Sequence, residues 1–415
     1  MARIGRNIEV EWQTISIRTI TISAFVLAGA ILAGIYFLWI RGHQTQTDET
    51  ANTESVESAA LFMDLEGKVE IKSKDEFVWK PASFKVELRE GDRVHTYPDS
   101  AAKIRFDDGT EITVQPDSIV VVKRNAASNA RDQALLVIES GEGNINAEKS
   151  TSVATIATQK ISKLKLAPGS VGNAISDQQA GEDTAAITKG YGEITTRTGK
   201  VMQLKDLQEL KIDKNDTAAV SQLPSIPSAI SPPNGQLFEF LSDQPLKIEL
   251  KWRDVALAAH YHVQISENFL FGKIIAENTS LARSSILIEI PRANKKQFFW
   301  RVRSIDSRGR KSPWCEPYQF VVQVPRSAKT IGASGDTTPP ALTVTSIHAF
   351  FPYVQVEGRT EADAFLTLNG QIIDVKEDGS FASTYLLQKT GANTLEFIAE
   401  DPSGNKTSVK KTVIY

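Results

Sequence analysis

The chain has 415 residues, a formal net charge of -3, 41% hydrophobic and 23% charged residues, and a single cysteine. That length exceeds one hydrophobic core and predicts roughly two to four domains, while so small a charge excludes a dedicated nucleic-acid binder. With only Cys315 there can be no internal disulfide, no Cys-based zinc site and no C-x-x-C redox pair.

Residues 1–18 form a short tail, and residues 19–40 (TITISAFVLAGAILAGIYFLWI) carry no charge. A helix of that length, at about 1.5 Å per residue, reaches about 33 Å and spans a hydrocarbon core. The run ends in Phe37-Leu38-Trp39-Ile40-Arg41 rather than in small residues at a cleavage site, so it is expected to persist as a single transmembrane helix. Arg3, Arg6 and Arg18 precede it, whereas Asp48, Glu49, Glu54 and Glu57 follow Arg41. This asymmetry predicts a single-pass protein of the inner (cytoplasmic) membrane, with its N-terminus in the cytoplasm and its ectodomain in the periplasm or outside. Small residues at Ala24, Ala28, Gly29, Ala30, Ala33 and Gly34 leave a helix-mediated dimer open. Residues 41–60 are polar and aperiodic, as a flexible spacer is.

From 61 to 220 short apolar alternations recur between turn signals, among them Val69 and Ile71, Ile104 and Phe106, Ile112 and Val114, and Val120 and Val122. Period two predicts strands, and Asp107-Asp108-Gly109 between two of them predicts a tight hairpin. The residues Gly67-Lys68-Val69, Trp79, Gly91-Asp92-Arg93-Val94, Thr96, Asp107-Asp108-Gly109-Thr110 and Pro116-Asp117-Ser118 together resemble the FecR domain family. Within that resemblance Gly91, Asp92, Thr96, Asp108 and Gly109 are the signature positions.

Residues 221–235 (SQLPSIPSAISPPNG) read as a semi-extended Pro/Ser linker. In 236–325, alternations at Ile248, Leu250 and Trp252, at Tyr261, Val263 and Ile265, and at Phe298, Trp300 and Val302 fit a two-sheet sandwich. Trp300-Arg301-Val302-Arg303 with Gly309 and Ser312-Pro313-Trp314 is similar to a fibronectin type III module. A second linker covers 326–338, and 339–415 holds Asn369-Gly370 and Asp378-Gly379 between strand-like runs, which predicts two tight turns. Its ending, Ala399-Glu400-Asp401-Pro402-Ser403-Gly404-Asn405, resembles bacterial Ig-like modules. The expected fold class is thus mainly β: one N-terminal transmembrane helix, a FecR-like β-domain and two β-sandwich modules.

No phosphate loop, dinucleotide fingerprint, nucleophile elbow or H-E-x-x-H helix occurs. His43 falls in the spacer, and His95 beside Thr96 suits surface packing. His260 and His262 flank an inward Tyr261 and could grip a metal only with a third ligand that the sequence does not name. Cys315 sits in an apolar context as a small buried residue. Asp107-Asp108, and Glu400-Asp401 with Asn405, read as turns rather than as a carboxylate pair or a calcium loop. Arg301 and Arg303, near Arg308, Arg310 and Lys311, form a basic strip that reads as a solvated face or as a surface for an acidic polymer or partner.

These features predict a non-enzymatic envelope protein with no cofactor, binding a cell-envelope protein or polymer. The alternative is a transducer: the FecR resemblance implies regulation of a sigma factor, although a tail of about 18 residues is too short to be a sigma-binding domain and would need a separate cytoplasmic partner.

Overall fold

Period-two patterning backed by Gly, Pro and Asp turns gives strands throughout. The computed structural model describes residues 60–84, 86–124, 134–240, 244–293, 295–324, 336–350, 352–387 and 389–414. Here the expected fold class is corrected: the described residues are all-β, and none of their elements is a helix long and apolar enough to cross a membrane. The stretch 19–40, with its proposed span and dimer face, lies outside the described residues, as do the tail, the spacer and most of the linker 326–338.

Residues 60–222 build two packed sheets joined through one strand, Ala134–Asn146. Its first half pairs with Ser118–Arg124 and, in parallel, with Ala154–Ala157; its second half pairs with Glu111–Val114 and Val171–Asp177 in the other sheet. The switch falls at Ser140 and Gly141, where Gly141 adopts φ +90° and a Cβ would stand 2.1 Å from Ser118 Oγ. Only glycine combines that φ with that approach. Between the sheets lies one core, including Phe62, Leu88, Ile104, Ile112, Leu136, Ile138, Ile145, Leu164 and Leu210.

A corner motif recurs three times in this module. Pro98-Asp99-Ser100, Pro116-Asp117-Ser118 and Pro168-Gly169-Ser170 each place a positive φ at the middle residue. Each serine Oγ then accepts the backbone N–H that follows a distant positive-φ glycine: Lys68 after Gly67 (2.8 Å), Glu142 after Gly141 (2.9 Å) and Tyr191 after Gly190 (3.0 Å). The serine thus satisfies a backbone donor where the ladder breaks.

The second module opposes a three-stranded sheet (Ala229–Ser231, Leu246–Trp252, Ser285–Ile290) to a five-stranded one (Gln236–Glu239, Tyr318–Gln323, Lys295–Asp306, Ala258–Ser266, Ile274–Leu281). Trp252 and Trp300, both fully buried, lie 6.5 Å apart in its core. The expected linker 221–235 is docked rather than free. Leu223 is buried, Ile226 packs on the second core, and Ser225 O accepts Ser304 Oγ at 2.6 Å.

In the third module Leu342–Phe350, Tyr353–Thr360 and Ser380–Leu386 face Gln371–Ile373, Phe365–Leu368, Ala392–Glu400 and Lys406–Ile414. Asn369 and Gly370 both have positive φ, 48° and 85°, and close the two-residue hairpin read from the sequence. Residues 58–415 form one compact unit.

Candidate functional site

The signature residues of the first module are structural pins. Gly91 takes φ +94°, and Asp92, 4% exposed, accepts the backbone N–H of Arg89 (2.9 Å) and Lys74 (3.3 Å). Buried Thr96 donates to Gln115 O at 2.6 Å and accepts Ser118 N–H. Asp108 accepts Thr110 N–H (2.9 Å) and the Ser152 hydroxyl (2.5 Å), and a Cβ on Gly109 would lie 2.6 Å from Lys149 O. These groups fix corners and present nothing to a ligand.

The basic strip does not form one free surface. Arg301 is stacked 4.2 Å from the Phe271 ring and 4.4 Å from Trp314, and it donates twice to Gln264 Oε1 at 2.9 and 2.7 Å. Arg303 lies 4.1 Å from the same Trp314 ring and donates to His262 Nδ1, which leaves His262 Nε2–H to donate to Glu277 at 2.6 Å. Burial pulls the Arg301 guanidinium down to about 9 and also lowers Arg303 and Lys311. In each case the strongest countering charge is Glu142 of the first module, so the carboxylate that answers this strip belongs to the chain itself. Arg310 is ion-paired to Asp306 at 2.6 Å, and exposed Arg308 occupies the turn whose N–H Asp306 accepts.

The other candidates resolve similarly. His260 is exposed and His262 is 5% exposed and fully bonded, so the two do not converge. Among the described residues no three His, Cys, Asp or Glu side chains are placed to hold a metal. Burial pushes the Cys315 thiol up to about 11, an unreactive setting. Asp401 accepts both the backbone and the side-chain N–H of Asn405 at 2.8 Å, a turn network. His43 lies outside the described residues.

What the sequence did not point to is the junction of the three modules. The register of Ala60–Glu66 slips between Phe62 and Asp64, a bulge that frees backbone groups from the ladder. The third module takes them: Gln355 Nε2 donates to Phe62 O at 2.5 Å and Thr384 Oγ1 to Met63 O at 2.7 Å. Arg105 donates to Tyr353 OH at 2.7 Å. The second module docks through Glu66, whose carboxylate accepts Gly272 N–H (2.8 Å) and Lys273 N–H (2.9 Å). A Cβ at Gly272 would stand 2.8 Å from that carboxylate and 2.9 Å from Ala101 N, so the contact requires glycine.

Above this junction opens a cleft of about 700 Å³ lined from all three modules, with Asp64 from the first, Glu267, Phe269, Lys296 and Phe299 from the second and Phe365 and Asp374 from the third. Phe269 and Phe299 meet edge to face at 5.9 Å, Lys296 pairs with Glu267 at 2.6 Å, and Lys295 lies 3.9 Å over Phe365. Burial raises Asp64 to about 6 and Glu66 to about 7; Asp374 is raised by burial and then by Glu267. A carboxyl that titrates near neutrality both donates and accepts hydrogen bonds. Combined with ring faces and amides such as Gln297 and Gln319, it suits a hydroxyl-rich ligand. No sequence signal marks this cleft, because its walls come from three modules, with Asp64 more than 200 positions from every other lining residue.

Comparison with known proteins bears on parts of the chain. The family model of glucodextranase domain B matches residues 352–415. No curated protein sequence matches. A Parabacteroides distasonis protein assigned as an anti-sigma factor aligns over 31% of this chain and 59% of its own, at 16% identity and TM-score 0.27. This chain therefore spans under two thirds of that protein's length. The fibronectin(III)-like modules of Clostridium thermocellum CbhA align over 45% of this chain and 93% of theirs, at 12% identity and TM-score 0.18. The α-L-rhamnosidase of Dictyoglumus thermophilum aligns over 46% and 30%, at 14% identity and TM-score 0.22. At such scores none of these three alignments carries an argument about this chain.

Proposed function

We propose that this chain is a non-enzymatic recognition protein of the cell envelope, in which a FecR-like domain (61–220) and two sandwiches together hold a hydroxyl-rich envelope polymer in the junction cleft. One observation carries the reading: a cleft of about 700 Å³ whose walls come from three modules tied to one another by hydrogen bonds. Ligand sites occupy roughly 300–1,000 Å³ and favour such junctions. Ring faces beside carboxyls that can donate or accept match a sugar, whose C–H faces are apolar and whose rim is hydroxylated. The likeness of residues 352–415 to a domain of a glucodextranase supports a carbohydrate setting.

The test immobilises the purified full chain and challenges it with the neutral polysaccharide fraction of a bacterial envelope. Retention should fall at least tenfold for Phe269→Ala combined with Asp374→Asn, and should be unchanged for Lys411→Ala, which changes an exposed residue outside the cleft. Equal retention by the cleft variant, or none by the parent chain, would remove the reading.

A further inference from the structure

A second array of rings and cations stands away from the cleft, on the outer face of the sheet that contains Val69–Lys72 and Arg93–Thr96. Inward Val69, Ile71 and Val94 supply the core, so the residues alternating with them face outward. There Trp79 and His95 have ring centroids 5.5 Å apart, and His95 and Tyr97 are 4.0 Å apart. Their planes tilt by 57° and 33° in turn, so successive ring faces rotate along the strip. A lysine ammonium caps each end: Lys72 at 5.1 Å over Trp79 and Lys68 at 3.8 Å over Tyr97. The one carboxylate among them, Glu70, is engaged by Tyr97 OH (2.7 Å) and by Lys68 (3.2 Å). No salt bridge to Lys72 occurs among the described residues. At the adjoining tip Phe77 is 97% and Val78 65% exposed.

Exposed cation–ring pairs contribute only about 0.5–1 kcal/mol, too little to explain three rings kept out of the core. Burial lowers the affinity of His95 for a proton, and the three rings form a platform between two cations. Its complement is a chain of rotating units with apolar faces and anionic substituents. We propose that this strip binds an acidic polysaccharide, with sugar rings laid on Trp79 and Tyr97 and carboxylates meeting Lys72 and Lys68. The proposal does not depend on the cleft.

Affinity electrophoresis of the full chain in gels containing polygalacturonate, alginate or hyaluronate tests it, with neutral dextran and polyglutamate as controls. At least one acidic glycan should retard the chain, while dextran and polyglutamate should not. Trp79→Ala should weaken retardation at least tenfold, and Lys72→Gln should weaken it severalfold and flatten its salt dependence. The cleft variant Phe269→Ala/Asp374→Asn should be retarded like the parent, which separates this site from the other. Failure of all three glycans, equal retardation by polyglutamate, or full retardation of folded Trp79→Ala and Lys72→Gln would overturn the proposal. Urea midpoints close to the parent's establish that the variants are folded.

Discussion

Two regions of this molecule are built from the same chemistry and differ in how their cations are engaged. On the five-stranded sheet of the second module, Arg301 and Arg303 bracket Trp314, with Phe271 and His262 alongside, and both guanidiniums donate hydrogen bonds to neighbours of the same sheet, Gln264 and His262. On the outer sheet of the first module, Lys72, Trp79, His95, Tyr97 and Lys68 form a comparable array, half-buried at its rings, in which Lys72 has no ion pair among the described residues. Cation–ring pairs do not by themselves announce a binding surface. Engagement decides: a cation whose donors are taken up by its own sheet acts as a bracket, and one whose donors are not remains available to a ligand.

The sharpest way to break this comparison is stability. Arg301→Ala should cost about 1.5–3 kcal/mol, because it removes two charged hydrogen bonds to Gln264 from a half-buried setting, whereas Lys72→Ala should stay within about 0.5 kcal/mol. Urea unfolding of both variants measures the contrast, and equal midpoints would erase the distinction between engaged and unengaged cations.

A smaller effect lies at the junction and depends on pH. Glu66 and Asp64 are raised from 4.5 to about 7 and from 3.8 to about 6, chiefly by burial. The native state then binds more protons than the unfolded state between those values, so these two groups make stability fall as pH rises from about 4 to 7 and level off above. Glu66→Gln mimics the protonated acid and should flatten that slope in a series of urea midpoints from pH 4.5 to 8; a slope identical to the parent's would show that Glu66 does not titrate there.

The smallest expected change concerns Cys315. Its buried thiol, pushed up to about 11, should not react with a thiol reagent in the native chain at pH 8 and should react once in urea. Prompt native reaction would mean that the sheet around Val302 opens readily.

Much of the strand architecture was legible because period-two patterning is local. The alternation of Phe298, Trp300 and Val302 fixed which face of that strand enters the core, and Asn369-Gly370 fixed its hairpin. The same logic correctly assigned Asp107-Asp108-Gly109 and the Asp401–Asn405 turn. It fell short where long-range partners mattered. Alternation placed Arg301 and Arg303 on an outer face, which is true, yet no local pattern tells that Gln264 and His262 take up their donors. The segment 221–235 read as a semi-extended linker, and Pro and Ser stiffen a segment without saying whether Leu223 and Ile226 find a core. The serine corners were visible only as scattered Pro-x-Ser triplets, since the glycine each one serves is 20 to 33 residues away in sequence.

By itself, then, the sequence determined that the described chain would be strands and turns, where its tight hairpins fall, and which side chains enter each core, because those follow from the two-residue repeat and from the φ that Gly and Asn allow. Only the tertiary structure decided which outer faces are covered, that Glu66 meets Gly272, and that three modules share a cleft. Those outcomes rest on contacts between residues hundreds of positions apart, where shape and desolvation rather than local conformational preference set the free energy.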